Sequence, residues 1–285
     1  ASEAPASEAP ASEAPASETP APRNSVETTI SEVLGGKPFT ELGSEDLDKV
    51  EYLFFPEGKV SNISALSATK QIKTLRLSNN RVRDIYPLSQ LTKLHSLQLG
   101  NNKISDLRPL SRMESLRDLQ LNNNRITAVL PLEELAQLET LDLRHNNIED
   151  VSPLSKAENL MELDLGFNDI QEIRPLGQLL RLRTLSLRNN QIKDASSLSR
   201  LRSIESLDIS YNPGLSQILS KDVRLLRWGG LSKLMVFRCV GNKLPDIEAV
   251  DLPPKLKELY LGGSVFTNVL SLAKMNQLEK LGLGD

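Results

Sequence analysis

A motif of 22 residues recurs along most of this chain. Residues 72–88 read IKTLRLSNNRVRDIYPL, residues 94–110 LHSLQLGNNKISDLRPL and residues 116–132 LRDLQLNNNRITAVLPL. LETLDLRHNNIEDVSPL follows from Leu138, LMELDLGFNDIQEIRPL from Leu160 and LRTLSLRNNQIKDASSL from Leu182, each start 22 residues after the last. A degenerate copy begins at Val50, further copies at Ile204, Leu234 and Leu256, and a partial one at Leu278. The step from Ile204 to Leu234 is 30 residues, an insertion of eight. Such a period implies a solenoid, because one unit is too small to bury its own apolar face and must stack on the next.

The unit has a physical logic. In L-x-x-L-x-L the leucines alternate about the middle of a short strand and point to one side. Stacked copies form a parallel sheet over one continuous core. An asparagine follows three residues after the third leucine, at Asn80, Asn102, Asn124, Asn146, Asn168, Asn190, Asn212 and Asn242. Its amide can satisfy turn backbone that stacking buries, so the copies are expected to form a ladder. Later apolar positions such as Val82 and Ile85 fill the convex half, where Pro-Leu pairs at 87–88, 109–110, 131–132, 153–154 and 175–176 fix a turn. At about 4.8 Å per strand, ten or eleven strands make an arc of roughly 50 Å.

Before the repeats stand two different segments. Residues 1–20 are four copies of a pentapeptide, ASEAP three times and then ASETP. Proline at every fifth place and the lack of large apolar groups predict a semi-extended spacer over 1–23, either a stalk or a neutral low-complexity expansion. A helical cap is expected over 24–49. Asn24 and Glu27 resemble a capping box, and Val26, Ile30, Val33 and Leu34 share one helical face that Gly35 and Gly36 terminate. A second helical turn starts at Ser44, with Leu47 and Val50 facing inward. Repeats then occupy 50–285, about ten full copies and a partial one, with the insertion at 213–231. The final strand, ending at Gly284-Asp285, lacks a capping element in the sequence. Truncation, a downstream domain or self-association through this end would each account for it, and some self-association is expected.

Bulk properties exclude several function classes. The chain of 285 residues has a formal net charge of −3, and the four glutamates of residues 1–22 leave the remainder at +1. No clustered basic face marks a nucleic-acid partner. No apolar run approaches the ~18 residues of a membrane span. The single cysteine, Cys239, rules out an intrachain disulfide and falls where a strand leucine belongs. His95 and His145 lie two repeats apart and make no metal site, and no phosphate-binding loop or nucleophile motif occurs. Asp142 and Asp164 fall on adjacent strands, as a paired-carboxylate acid would require, but an open sheet face gives no pocket to desolvate them. Neither an enzyme nor a cofactor is expected.

The 22-residue unit, the signature NKISDLRPL at 102–110 and the cap running into SEDLDKVEYL at 44–53 resemble the bacterial internalin-type leucine-rich repeat family. That resemblance covers residues 24–285. It implies an α/β solenoid, a right-handed leucine-rich repeat horseshoe with a parallel concave sheet and a helical N-terminal cap. It further implies a non-catalytic protein-interaction module, secreted or at the cell surface. A regulatory subunit of eukaryotic protein phosphatase 1 shares the repeat class, so a cytoplasmic scaffold is the alternative. Carbohydrate binding is a third reading.

Any ligand is expected on the concave face, at positions 3, 5, 7 and 8 counted from each unit's first leucine. Early units carry mostly Ser, Asn and Gln there. The middle is richer: Asp142, Arg144, His145, Glu162, Asp164, Phe167, Arg188, Asp208 and Tyr211, with Arg238 beyond. A solvated polar strand face would explain any one of these. Exposed aromatics beside charges, at Phe167 and Tyr211, instead have the composition of a protein-binding hot spot. Trp228, the sole tryptophan, is expected to pack the insertion onto the solenoid or to anchor a partner.

Overall fold

A computed structural model describes residues 25–215, 230–242, 252–253, 255–264, 272–273 and 275–284. The tail, Asn24, Trp228 and most of the insertion lie outside the described residues. Eleven three-residue strands form one parallel sheet in chain order. They are β1 (Tyr52–Phe54), β2 (Thr74–Arg76), β3 (Ser96–Gln98), β4 (Asp118–Gln120), β5 (Thr140–Asp142) and β6 (Glu162–Asp164). β7 (Thr184–Ser186), β8 (Ser206–Asp208), β9 (Val236–Arg238), β10 (Glu258–Tyr260) and β11 (Lys280–Gly282) complete the sheet.

Each strand holds positions 3 to 5 of its unit, and the register keeps the units in step: Leu75 pairs with Leu97, Leu119 with Leu141, Leu163 with Leu185. The middle residue of β1 through β10 is buried while its neighbours face the concave side. This is the period-2 alternation of a sheet with one dry face. Leucines from every unit line one continuous core, most of them fully buried.

The convex side is built from short 3-10 helices, Tyr86–Leu88, Arg108–Leu110, Leu130–Leu132, Ser152–Lys156 and Arg174–Gln178 among them. Each contains a Pro-Leu pair with proline in the first turn, where its fixed φ fits and its missing N–H is not needed. Except at Leu130–Leu132, where Ala128 stands there, a carboxylate two residues ahead accepts the first backbone N–H, as from Arg108 to Asp106 Oδ1 at 2.9 Å and from Ser152 to Asp150 Oδ1 at 2.8 Å.

The asparagines at position 9 point into the stack. Asn168 donates Nδ2 to the carbonyls of Leu143 and Leu165 at 3.1 and 3.0 Å, and accepts at Oδ1 from Ile148 N at 3.0 Å. One side chain thus satisfies backbone of its own unit and of the preceding one. Asn102, Asn124, Asn146 and Asn190 repeat these contacts. Across the 30-residue unit the pairing shifts. Asn242 Oδ1 accepts from the backbone N of Asn212 itself at 2.6 Å, and its Nδ2 reaches Ile209 O and Cys239 Sγ. Burial in the core pushes the Cys239 thiol up to about 12, against the Asn242 hydrogen bond, so it stays protonated and inert.

The cap differs in detail from its sequence reading. Helix α1 spans Val26–Val33, and its N-cap is Ser25, whose Oγ accepts from Thr28 N at 3.1 Å. A hydroxyl one place after Asn24, which lies outside the described residues, serves the first turn. Val26 and Ile30 are buried against the first repeat, but Val33 is exposed: only Leu34 continues the inner face. Helix α2 spans Ser44–Leu47, and Leu47 and Val50 are buried.

Candidate functional site

Position 8 has a backbone role that the repeat pattern did not disclose by leucine spacing alone. Asn79, Asn101, Asn123, His145, Phe167, Asn189 and Tyr211 all have φ between 54° and 60°, and Gly241 and Gly263 have φ of 75° and 78°. The left-handed turn carries the chain out of the strand so that the next asparagine points inward. Asparagine and glycine tolerate that conformation; a side chain with a bulky Cβ substituent costs roughly 1–2 kcal/mol in it. The signal was present in the sequence as the run of Asn and Gly at this one position. Against that background His145, Phe167 and Tyr211 are the exceptions.

These three residues and Arg188 form one row along the concave rim. The His145 and Phe167 rings stack at 4.0 Å between centroids and 15° between planes. The Arg188 guanidinium lies 5.9 Å from the Phe167 centroid and 4.9 Å from that of Tyr211. Tyr211 in turn rests on Gly241, where an added Cβ would meet the ring at 2.7 Å. Stacking and cation–π contacts therefore order the row, each contact contributing about 0.5–1 kcal/mol. Phe167 and Tyr211 still expose 37% and 43% of their surface.

Below the row lies a floor of carboxylates. Asp142 and Asp164 pair across β5 and β6. Arg144 reaches both, at 3.2 Å and 3.8 Å. Burial pushes the Asp142 carboxyl above its ordinary value, opposed by the Arg144 amide and guanidinium and reinforced by Asp164. Bridged in this way, the two carboxylates are an ion-pair network and not an acid pair with a shared proton. Asp142, Asp164 and Asp208 each turn one oxygen to the backbone N–H two residues on, at Arg144, Gly166 and Ser210. Part of each acid's role is thus to hold the turn after the strand.

The remaining candidates divide. Glu162 is exposed on β6 and Asp208 half-buried on β8, and neither has a cation within 4.0 Å among the described residues. Arg238 is register partner of Asp208 but turns away from it, lying 5.1 Å over the Tyr260 ring and 3.4 Å from Glu258. It therefore stands apart from the row. At the other end, Tyr52 and Phe54 of β1 are exposed by 63% and 61% on the same concave face. Sequence reasoning passed over them as part of a degenerate copy. Among the described residues no group of three or more His, Cys, Asp and Glu side chains is placed to hold a metal, and no helix is long and apolar enough to cross a membrane.

Comparison with known proteins places this geometry. The family model for paired leucine-rich repeats matches residues 70–112, 114–156, 136–178, 158–200 and 180–223. An internalin (inlF) from Listeria monocytogenes is 30% identical, with a TM-score of 0.72 over 90% of this chain and 80% of that one. Internalin C2 from the same organism is 24% identical, with a TM-score of 0.60 over 90% of both chains. A leucine-rich repeat protein of Leptospira interrogans is 25% identical, with a TM-score of 0.63 over 78% of this chain and 57% of that one. A search of curated protein sequences gives no match. With the repeat, the single parallel sheet and the family match agreeing, the chain belongs to the leucine-rich repeat family and is of the bacterial internalin type.

Proposed function

We propose that this chain is a non-catalytic module, exported to the bacterial surface or beyond, that binds a protein partner through the concave face of β5–β8. One observation carries the reading. His145, Phe167 and Tyr211 occupy left-handed positions where the neighbouring units keep Asn or Gly, and no part of the core requires them there. The unfavourable backbone at Phe167 and Tyr211 is offset in part by the stack on His145 and the Arg188 contacts, and on this reading by what the exposed ring surfaces bind. Both rings are also flanked along the row, Phe167 by His145 and Arg188, Tyr211 by Arg188 and Gly241. Ring edges and the tyrosine hydroxyl are left to face a ligand. That favours a protein surface over a sugar ring, which would stack on an open aromatic face. Kinship with the internalin of L. monocytogenes supports the export reading, which is tested by cell fractionation with an antibody to the folded domain.

The binding test begins by crosslinking the full chain to its partner on intact cells and recovering the pair. Affinity for that partner is then measured for the double variant Phe167→Asn, Tyr211→Asn, which suits the backbone. At least a tenfold loss with an unchanged melting temperature is expected. Unchanged affinity would overturn the reading.

A further inference from the structure

The flank that follows the concave strands carries a column of cations. Position 10 is Lys59, Arg81, Lys103 and Arg125 in four successive units, and Arg83 adds a fifth cation at position 12. All five are exposed, while position 11 between them, as at Val82 and Ile104, is buried. The extended backbone therefore turns these side chains outward from the solenoid. Each position 10 N–H donates to the position 11 carbonyl of the preceding unit, from Arg81 to Val60, Lys103 to Val82 and Arg125 to Ile104, at 2.8 Å in each case. That ladder sets the column one strand spacing per step, four cations in about 15 Å. No clustered basic face is legible in the near-neutral composition, because the members of the column stand 22 residues apart and meet only by stacking.

Nothing within the fold offsets this charge. None of the five has an ion pair, a side-chain hydrogen bond or a ring contact among the described residues. The carboxylates that follow on the chain turn to the convex side: Asp106 pairs with Arg108 at 2.7 Å, and Asp84 Oδ1 accepts from Tyr86 N at 2.8 Å. In the next three units the same flank satisfies itself. Position 10 is Asn147, Asp169 and Gln191, and Gln191 Nε2 donates to Asp169 Oδ1 at 3.3 Å. At position 12, Lys193 Nζ donates to Gln171 Oε1 at 3.0 Å. Like charges stacked in register are destabilising, so the first half of the flank bears a cost that the second half avoids.

We propose that the column binds a linear sulfated polysaccharide, whose sulfates run along Lys59, Arg81, Lys103 and Arg125. Cations spread in a line suit a polymer of repeated charge, since they converge on no point where a single small anion would sit. Positions 10 and 12 of these units hold no aromatic side chain on which a nucleobase could stack. Nor do they hold an apolar anchor of the kind on which a protein interface centres. What stands among the cations is Ser61, Ser105 and Thr127, exposed hydroxyls that suit a sugar. The column is separate from the concave row and does not depend on the protein partner proposed there.

The test uses the full chain and a fluorescein-labelled heparin octasaccharide, titrated by anisotropy at low salt. It is expected to bind at least tenfold more tightly than an unsulfated heparosan octasaccharide, a twelve-residue oligoglutamate or a twelve-residue oligothymidylate. The quadruple variant Lys59→Gln, Arg81→Gln, Lys103→Gln, Arg125→Gln should weaken heparin binding at least tenfold, with a melting temperature no lower than the parent's. The matched control is Lys70→Gln, Arg112→Gln, Arg200→Gln, Lys233→Gln, four exposed cations without ion pairs. It makes the same change in net charge and should cost less than threefold. Equal losses in the two quadruple variants, or any comparison probe bound as tightly as heparin, overturns the proposal. Should the first quadruple variant melt below the parent, Arg81→Gln with Lys103→Gln carries the same comparison, and a loss under twofold overturns the proposal. The concave variant Phe167→Asn, Tyr211→Asn should bind heparin as the parent does. A tenfold loss there overturns the column as the polysaccharide site and leaves the protein-binding reading to its own test.

Discussion

Strands β2–β4 and β5–β8 belong to one repeat, of 22 residues in every unit but the 30-residue one of β8, and the two groups differ most in one place. In the first group position 8 is Asn79, Asn101 and Asn123, residues suited to the left-handed turn that the unit demands. In the second it is His145, Phe167, Asn189 and Tyr211 at nearly the same φ. The asparagines at position 9 beneath the two groups all donate to the carbonyl three residues back, from Asn80 to Asn190, and only Asn80 differs in its contact to the preceding unit, at Pro56 O. The comparison separates two kinds of constraint within one repeat. Where the backbone decides, the units agree; where they disagree at no benefit to the backbone, the proposed partner is what would account for the choice.

The strongest way to break this comparison is to show that the shared ladder is dispensable. Asn168→Ala removes an acceptor for Ile148 N and donors to two buried carbonyls. A loss of about 3 kcal/mol is expected in urea unfolding, in keeping with several buried polar groups left unmatched. The same substitution at Asn146 should cost a similar amount, because the ladder is uniform there. A loss below about 1 kcal/mol at both sites would mean that the leucine core alone dictates the turn.

A smaller effect exchanges the two position 8 types. Asn101→Phe places an aromatic in the left-handed turn without the partners that Phe167 has, and should lower stability by about 1 kcal/mol. Phe167→Asn relieves the turn and forfeits the stack on His145, so the net change should be a gain of no more than about 0.5 kcal/mol. Thermal unfolding of the pair checks both signs. A loss of more than about 1 kcal/mol from Phe167→Asn would make Phe167 a structural residue and remove its value as a marker of function.

How much of this was readable beforehand depends on whether a feature repeats. The strand-centre leucines and the inward asparagines recur at fixed spacing, so each copy supports the others. The left-handed position 8 recurs as well, in Asn79, Asn101, Gly241 and Gly263, but reading it requires asking what those residues share in backbone freedom and not in polarity. Non-repeating features were not readable. The Ser25 cap of α1 was not readable because it depends on which hydroxyl or amide the local geometry brings to the Thr28 N–H. Arg238 could have paired with Asp208 on one side or Glu258 on the other, and the Tyr260 ring lies on the Glu258 side. Tyr52 and Phe54 fall at concave positions 3 and 5 of the copy from Val50, but they were passed over because that copy is degenerate. The row of His145, Phe167, Arg188 and Tyr211 was visible as a cluster, but not its order, which comes from side-chain stacking between units.

The finest distinction between the two groups lies in their position 5 side chains. In β3 and β4 these are Gln98 and Gln120, neutral amides; in β5 the same register holds Asp142, whose carboxyl burial pushes above its ordinary 3.8. A raised value in the folded state means that folding favours the protonated form. The penalty for the charged form is absent below about pH 4, grows as the pH rises through the folded value, and is complete above it. Asp142→Asn keeps the oxygen that accepts from Arg144 N and removes the charge. The variant should therefore match the parent at low pH and exceed it modestly in stability at pH 7, with the gap opening from pH 4 upward. Stability measured across that range checks the sign. A variant less stable than the parent at neutral pH would mean that the Arg144 bridge outweighs the burial of Asp142, and that the acidic floor supports the fold itself as well as a ligand.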